Sequence, residues 1–343
     1  MKFQLFVATC LLLATLSEAF VIHSVAHQDE PINTWEKFKS TFNKTYHSAE
    51  EEATRKANFE HSLAWVRENN GLKNMTYAIN ELSDLSEKEF FALNGVPSTK
   101  PPGEEYYNFV RLNVDPNLPR SIDWRQYFGP IENQGQCGSC WSFAASAVVE
   151  ALGRIKHGRW DQLSKQELID CTNQQLHPDY ANLGCRGGHI IEAFRYVHEH
   201  GLSTNAQYPY QMAVGNCRAG VTTRDPLAKV ASFFQLVPGA TSDAEMMTAL
   251  KSYGPIGVTI HASFREFMYY RGDTIMNFFP NGSPQLNDHA IVLVGYGTTS
   301  QGYDYWIIRN SHGASWGDHG YGYMLRGQNT MGINNNVNIA IAP

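Results

Sequence analysis

Two cysteines three positions apart, Cys137 and Cys140, constrain this chain more than any other feature of its sequence. They lie in NQGQCGSCWSF, and the stretch that follows, WSFAASAVVEALGRI, has the periodicity and the alanines of a helix. Cys140 therefore lies at a predicted helix N-terminus, where the helix dipole stabilises a thiolate and lowers the thiol pKa. Cys137 precedes the turn, lacks this stabilisation, and is free to form a disulfide.

The first residues indicate the compartment in which these cysteines reside. Lys2 precedes an apolar run, and Ser17-Glu18-Ala19 is a small-x-small cleavage site, so residues 1–19 are typical of a secretory signal peptide. The run of about 12 apolar residues is too short for a membrane span. Removal of the signal takes Cys10 with it. Five cysteines remain, and since cysteines pair in an oxidising compartment, one thiol is left over.

A thiolate nucleophile needs a base, and the base needs an orienting group. HAIVLVGY and YDYWIIRN are strand-like and are separated by GTTSQG, which has a turn composition. A hairpin centred near residues 299 and 300 places His289 opposite Asn310. Gln134, six residues before Cys140, can donate its side-chain N–H to a developing oxyanion, together with the backbone N–H of Cys140. An unpaired buried cysteine and an ordinary hairpin with polar ends stay open as alternatives.

The chain divides near residue 117 into parts of different character. Residues 20–117 contain two amphipathic helix patterns and end in an extended segment rich in proline. In the second pattern Arg55 follows Glu51 by four residues, a spacing that suits a helical charge pair. Residues 118–343 have helical patterns first and strand patterns later, which predicts an α+β domain. No block of Lys and Arg indicates a nucleic-acid partner.

QGQCGSCW, NDHAIVLVGYG and NSHGASWGDHGYG together resemble the papain-like cysteine peptidases. The resemblance implies a two-lobed fold, with a cleft between a helical lobe and a β-barrel-like lobe, and hydrolysis of peptide bonds without a cofactor or metal. It implies that Cys140 is the nucleophile, His289 the base, Asn310 its orienting group and Gln134 the oxyanion donor. It also selects the disulfides Cys137–Cys185 and Cys171–Cys217.

The first part of the chain is similar to the inhibitory propeptides of cathepsin-L-like enzymes. Most of its ERFNIN pattern is present, at Glu51, Arg55, Phe59, Val66 and Asn70. Ser62 replaces the first asparagine of that pattern, and the later motif, which Asn80 and Asp84 match, has departures at Ala78 and Leu82. The resemblance implies that residues 20–117 lie backwards through the cleft of an inactive proenzyme, with a hold that the departures weaken. Acid is expected to release them by protonating carboxylates near Arg55.

The resemblance also bears on substrates. It implies an S2 pocket walled by Ile190, Thr259, Asn287, Ala290 and Asn336. This pocket is more polar than is usual in the family, which predicts a reduced preference for large aliphatic P2 side chains. The segment from Cys171 to Cys185 contains one histidine and no internal cysteine, unlike the occluding loop of cathepsin B. The chain is therefore expected to be an endopeptidase.

Further expectations concern the protein's setting. We expect a monomer in the secretory pathway, lysosomal or extracellular, with peptide substrates, its own propeptide and cystatin-type inhibitors as partners. The sequons predict glycans at Asn43, Asn74 and Asn281.

Three other functions are compatible with parts of this sequence. A zinc module could use Cys137, Cys140, Cys171 and Cys185, although the second pair is not C-x-x-C. A redox enzyme is disfavoured because no thioredoxin-like βαβ pattern surrounds the C-x-x-C. A peptidase homologue that binds without cutting is the third possibility.

His312 motivates that third possibility, because the family has a tryptophan here that covers the Asn–His hydrogen bond. A histidine can gain charge near pH 6.5, which would admit water and disfavour the imidazolium of His289. His312→Trp is then expected to raise kcat/KM by about threefold to tenfold, most at acid pH. In the alternative, His312 points to solvent and a neighbour fills the gap.

Overall fold

The structure is a computed structural model that describes residues 31–72, 75–97, 107–158, 161–218, 228–278 and 286–343. The predicted signal peptide and the sequons at Asn74 and Asn281 lie outside these residues. The remaining sequon residue, Asn43, is exposed just beyond the first helix.

Helix starts follow local capping signals. The hydroxyls of Ser48, Ser86 and Ser242 each accept the N–H three residues on, and Glu89 and Glu245 complete capping boxes at the last two. The described helices are α1 Trp35–Thr41, α2 Ala49–Asn69, α3 Glu87–Leu93, α4 Cys140–His157, α5 Lys165–Cys171, α6 Ile190–His200, α7 Asp243–Tyr253 and α8 Arg265–Met268. The helix predicted from Cys140 is thus confirmed, and Gly158, with φ 68°, ends it in the left-handed conformation.

The described strands form one sheet. They are β1 Phe109–Val110, β2 Ile122–Asp123, β3 Ser232–Leu236, β4 Ile256–Ile260, β5 His289–Thr298, β6 Asp304–Arg309, β7 Tyr321–Leu325 and β8 Val337–Ile341. Their order is β1-β3-β8-β4-β5-β6-β7, with β2 added to β5, and every pair except β1–β3 is antiparallel. The α+β prediction is confirmed, with the correction that the sheet stays open and does not close into a barrel.

The β5–β6 hairpin turns later than predicted. Thr298 pairs with Asp304, and a bulge between Leu293 and Gly295 shifts the register by one residue. Arg309 consequently pairs with Val292, so the predicted placement of Asn310 directly opposite His289 is wrong in register. A side-chain contact still joins these two residues, as described below.

The described residues form three hydrophobic cores. One lies among α4, α5 and α6, where every α4 residue from Cys140 to Leu152 is buried, and the inner end of β5 packs against α4. A second surrounds the sheet and α8, and includes Phe90 and Leu93 from α3. The third is small and joins α1 to α2 through Trp35, Phe38 and Phe59. The N-terminal helices therefore have a core of their own and insert α3 into the core of the sheet.

Candidate active site

Cys140 begins α4 and is completely buried. Its Sγ accepts the backbone N–H of Gly95 at 3.3 Å and that of Ala290 at 3.4 Å. The sulfur therefore lies between the segment around Gly95, which follows α3, and the start of β5. Burial raises the pKa of the Cys140 thiol to about 11, although these N–H groups oppose the shift. The predicted depressed pKa is therefore wrong for this covered state, because loss of water outweighs the helix dipole.

His289 is oriented by Asn310. Its Nε2 lies 2.8 Å from Oδ1 of Asn310, and that same oxygen accepts the backbone N–H of Ser311 at 2.8 Å. Because the Ser311 N–H identifies the oxygen end of the carboxamide, Nε2 of His289 must be the donor and carry the proton. Nδ1 is then the basic nitrogen, and it has no hydrogen-bond partner among the described residues. Burial lowers the pKa of His289, which favours the neutral ring in this state.

Gln134 is held close to the nucleophile's loop. Its Nε2 donates to the carbonyl oxygens of Cys137 at 2.9 Å and of Leu93 at 2.8 Å, and its Oε1 accepts the hydroxyl of Ser311 at 2.7 Å. Because a carbonyl oxygen can only accept, these two carbonyls identify the nitrogen end of the Gln134 carboxamide, and the Ser311 hydroxyl donates to the oxygen end. The carbonyl oxygen of Leu93, in the N-terminal part, thus already accepts a hydrogen bond from the Gln134 amide that an oxyanion would need.

The segment that covers the thiol fits only because it contains glycine. A β-carbon built on Gly95 would lie 1.9 Å from the carbonyl oxygen of Gly138. The carbonyl of Gly95 accepts the N–H of Gly188 at 2.7 Å, and the N–H of Val96 donates to the carbonyl of Asp288 at 2.8 Å. Both walls of the cleft therefore bind the backbone of this segment.

His312 adopts neither arrangement expected from the sequence. Its side chain is fully buried, and its ring stacks on His289 with centroids 4.7 Å apart at an angle of 29°. Burial, and then the neighbouring His289, lowers the pKa of His312 well below its usual range. The prediction that His312 gains charge near pH 6.5 is therefore wrong for the proenzyme, and so is the alternative that it points to solvent.

The described cysteines pair as the resemblance implies. Disulfides join Cys137 to Cys185 and Cys171 to Cys217, and Cys140 is the free cysteine among the residues described. The disulfides occupy three of the four thiols that the zinc alternative requires, and they tie Cys137 to Cys185 instead of leaving it to a redox pair with Cys140.

Comparison with known proteins identifies this arrangement. Residues 118–341 match the model of the papain family cysteine proteases, and residues 35–90 match that of the cathepsin propeptide inhibitor domain. The chain belongs to the papain family of cysteine proteases. It is a cysteine endopeptidase made as a zymogen with its own inhibitory propeptide.

Relatives of this papain-family protease match it along almost their whole length. A cysteine protease of the mite Blomia tropicalis is 39% identical over 99% of both chains, and cathepsin S of Bos taurus is 34% identical over 90% of this chain and 92% of its own. A mite-allergen structure, from work on antibody cross-reactivity between Blo t 1 and Der p 1, has a TM-score of 0.80 at 40% identity over 90% and 99% of the two chains. Digestive procathepsin L 3 of Tenebrio molitor has a TM-score of 0.75 at 30% identity over 90% and 97%.

The propeptide of this papain-family protease is anchored both by Ser62, which departs from its motif, and by Asn80, which matches it. Ser62 is buried, and its hydroxyl contacts the carbonyl of Ser83 at 2.8 Å and the hydroxyl of Tyr269 at 2.7 Å. Asn80 donates to the carbonyl of Met268 at 2.7 Å. The expectation that the departures weaken the hold finds no support at Ser62, which binds both the propeptide and the peptidase.

Charges tie α2 to α3 inside the propeptide. Arg55 forms an ion pair with Glu89 at 2.9 Å and does not pair with Glu51, which instead accepts the N–H of His47. The predicted Glu51–Arg55 pair is therefore wrong. Asp84 accepts hydrogen bonds from Lys44 and from the hydroxyl of Tyr46, each at 3.0 Å.

The five predicted S2 residues are brought into one neighbourhood. Asn287 donates to both the carbonyl and the hydroxyl of Thr259, and Thr259 N–H donates to the carbonyl of Asn336. Ala290 pairs with Thr259 across β4 and β5, while Ile190 packs on Gly257 of β4. The polar groups of these residues are thus partly bonded to one another, while Oδ1 of Asn287 is buried with no hydrogen-bond partner among the described residues.

Sequence reasoning missed two contributors to the site. Ser311 orients both Asn310 and Gln134, and Asp288 is held by His261 at 3.6 Å and by the N–H of Ala262 at 2.8 Å. Each is the immediate chain neighbour of a residue that the sequence did single out. Their signal in the sequence is adjacency alone, which does not reveal which way a side chain points.

Proposed function

We propose that Cys140, His289, Asn310 and Gln134 carry the peptidase reaction once the propeptide has left. Nδ1 of His289 takes the thiol proton, and the Sγ thiolate attacks the carbonyl carbon of the scissile peptide bond. The carbonyl oxygen becomes an oxyanion that accepts from Nε2 of Gln134. His289 then gives the proton to the leaving amine as the C–N bond breaks, which leaves a thioester on Cys140. Water, deprotonated by Nδ1 of His289, hydrolyses the thioester and regenerates the thiol.

The observation that carries this proposal is the pair of hydrogen bonds to Oδ1 of Asn310. They place the proton of His289 on Nε2, 2.8 Å from Oδ1, and leave Nδ1 basic. Without them either tautomer would be equally accessible, and the tautomer with Nδ1–H cannot accept the thiol proton. The carbonyl of Leu93 on Gln134 supports the second role, because a propeptide oxygen already occupies the donor that an oxyanion would use.

Latency of the zymogen follows from the same geometry. Burial under the propeptide raises the pKa of Cys140 and lowers that of His289, which favours the neutral thiol and the neutral imidazole. Removal of residues 20–117 admits water to the cleft and restores the helix-dipole stabilisation of the thiolate. We place the processing boundary near residue 117. Self-activation in acid is the accompanying proposal.

Specificity and setting complete the proposal. Ile190, Thr259, Asn287, Ala290 and Asn336 form the S2 pocket, and its polar lining disfavours large aliphatic P2 side chains. The enzyme acts as a monomer in a lysosomal or extracellular compartment, subject to cystatin-type inhibitors. Relatives named as digestive proteinases, from Homarus americanus, support a secreted setting. A substrate library with an undiminished P2 Leu and Phe preference would contradict the pocket assignment.

The catalytic pair is tested by the pH dependence of thiol alkylation. Mature wild-type enzyme should react with iodoacetamide well below pH 7, because the thiolate forms by transfer of its proton to His289. In His289→Ala, converted in trans by wild-type enzyme, we expect the reaction to begin only near the ordinary cysteine range of about 8 to 9. Superimposable alkylation profiles for the two proteins would contradict the role of His289.

A further inference from the structure

The Asn310 carboxamide makes a hydrogen bond that no resemblance predicts. Its Nδ2 lies 3.2 Å from Nδ1 of His312, and both atoms are buried. The Ser311 N–H has already identified Oδ1 of Asn310, so Nδ2 is the amide end and must donate. His312 therefore accepts at Nδ1 and carries its proton on Nε2.

The surroundings of His312 favour a neutral ring, although its Nε2 is buried with no hydrogen-bond partner among the described residues. Three aromatic rings face it, from Phe90 of α3 at 5.7 Å, Phe267 of α8 at 6.2 Å and Trp316 of its own loop at 6.5 Å between centroids. The titratable ring that faces it is His289, stacked at 4.7 Å. The carboxylate of Glu81 lies near the next residue, since a β-carbon on Gly313 would come within 2.9 Å of Oε2. A proton on Nδ1 would break the bond to Asn310 and place a charge against His289.

We propose that His312 is a positioning residue, a neutral hydrogen-bond acceptor that fixes the Asn310 carboxamide with its oxygen toward His289. The inference rests on the proposed roles of His289 and Asn310. It adds that His312 orients Asn310, which in turn orients His289. An apolar residue at position 312 would leave the buried amide N–H of Asn310 without this partner, and the carboxamide could rotate away from His289. A tryptophan there would cover the pair but could only donate, since its indole has no acceptor.

Four variants separate this role from simple packing. His312→Asn keeps an acceptor, since the side-chain oxygen of asparagine falls close to the place of Nδ1. His312→Phe and His312→Trp keep an aromatic ring and remove the acceptor. Asn310→Ala removes the group through which His312 is proposed to act. Active enzyme is counted by titration with an irreversible thiol reagent, and thermal melting of each proenzyme reports folding.

We expect His312→Phe and His312→Trp to lower kcat by about threefold to tenfold with KM within about twofold, and His312→Asn to restore most of the loss. In the Asn310→Ala background, His312→Phe should change kcat by less than about twofold. Wild type and His312→Asn should have kcat/KM profiles of the same shape from pH 4 to 8. The expected loss for His312→Trp is opposite in direction to the rise in kcat/KM that the sequence alone predicted for this substitution.

Several results would overturn the inference. Undiminished kcat in both acceptor-free variants would do so, as would a His312→Asn enzyme no better than His312→Phe. A full loss that persists in the Asn310→Ala background would show a packing effect, and profiles that diverge in acid would show that His312 titrates. If the His312→Phe protein does not fold, His312→Trp provides the test. Wild-type kcat in Asn310→Ala alone would instead refute the proposed role of Asn310.

Discussion

Removing the charge of Glu89 should open the zymogen while leaving its helix cap intact. Glu89 caps α3 through Ser86 and pairs with Arg55 of α2 at 2.9 Å, and α3 carries Phe90 and Leu93 onto the active site. Partial burial works against the charge of Glu89, but hydrogen bonds from Ser86 and the guanidinium of Arg55 outweigh it and hold its pKa below the ordinary 4.5. Because this pKa is depressed in the closed proenzyme, the ionised group stabilises closure above 4.5. That stabilisation is lost as the pH falls through the depressed value.

The size of the effect follows from the contacts. Arg55 is mostly buried and Glu89 is 38% exposed, so the pair contributes about 1 kcal/mol, at the upper end for surface ion pairs. Glu89→Gln keeps a capping acceptor and should raise the opening constant about fivefold. Glu89→Ala also loses the capping box, for a total of about 2 kcal/mol, or roughly 30-fold.

Alkylation of Cys140 in the intact proenzyme measures this opening directly, because the reagent reaches the thiol only when the propeptide lifts. Variants are compared at equal pH, so the ionisation of the thiol cancels. The ratio of Glu89→Gln to wild type should be about fivefold at pH 6.5 and approach one as the pH falls below 4.5. Glu36→Gln is the matched control, since Glu36 is an exposed propeptide carboxylate that pairs with Lys39. A ratio near one at pH 6.5, or a ratio that grows in acid, would refute the account of acid release.

Three further outcomes follow from packing and covalent structure. Gly95→Ala should speed alkylation of Cys140 in the proenzyme by about fivefold or more, because its β-carbon meets the Gly138 carbonyl; an unchanged rate would show that the segment yields freely. Lys165→Met should lower the free energy of unfolding by about 3–5 kcal/mol, since Glu132 and Glu150 lose a fully buried partner, whereas Lys56→Met at an exposed pair should change it by under about 0.5 kcal/mol. Replacing Cys171 and Cys217 together by serine should reduce the free energy of unfolding by about 4 kcal/mol, as expected for a loop of 46 residues, and denaturant melts that coincide with wild type would contradict this.

Local signals made the elements of the fold predictable, and long-range contacts made parts of the site unpredictable. The alanines after Cys140 and the strand patterns on either side of GTTSQG lie within one element each, so α4, β5 and β6 were accessible from the sequence. The bulge near Leu293 was not, because it depends on how β5 fits its neighbours. Residue 309 therefore faces residue 292, and Asn310 meets His289 by side-chain reach.

Charge states were the least predictable part. A cysteine at a helix start suggests a low pKa. The pKa of Cys140 is nevertheless raised, because its burial beneath the segment around Gly95 keeps water from it. His312 shows the same dependence, since its pKa is lowered by burial, to which Phe90 of α3 and Phe267 of α8 contribute, and by the neighbouring His289. Sequence identifies which groups can titrate, whereas burial by distant segments decides whether they do.

The central claim is that Cys140 is acylated during turnover, and a burst experiment with an activated peptide ester tests it most directly. Mature enzyme, mixed with excess ester and quenched in acid, should release one alcohol per active site in the first turnover. Mass spectrometry should find the acyl group on the peptide that contains Cys140, and Cys140→Ser should show neither the burst nor the adduct. Steady turnover with an acyl group on another side chain, or in the Cys140→Ser protein, would contradict the account.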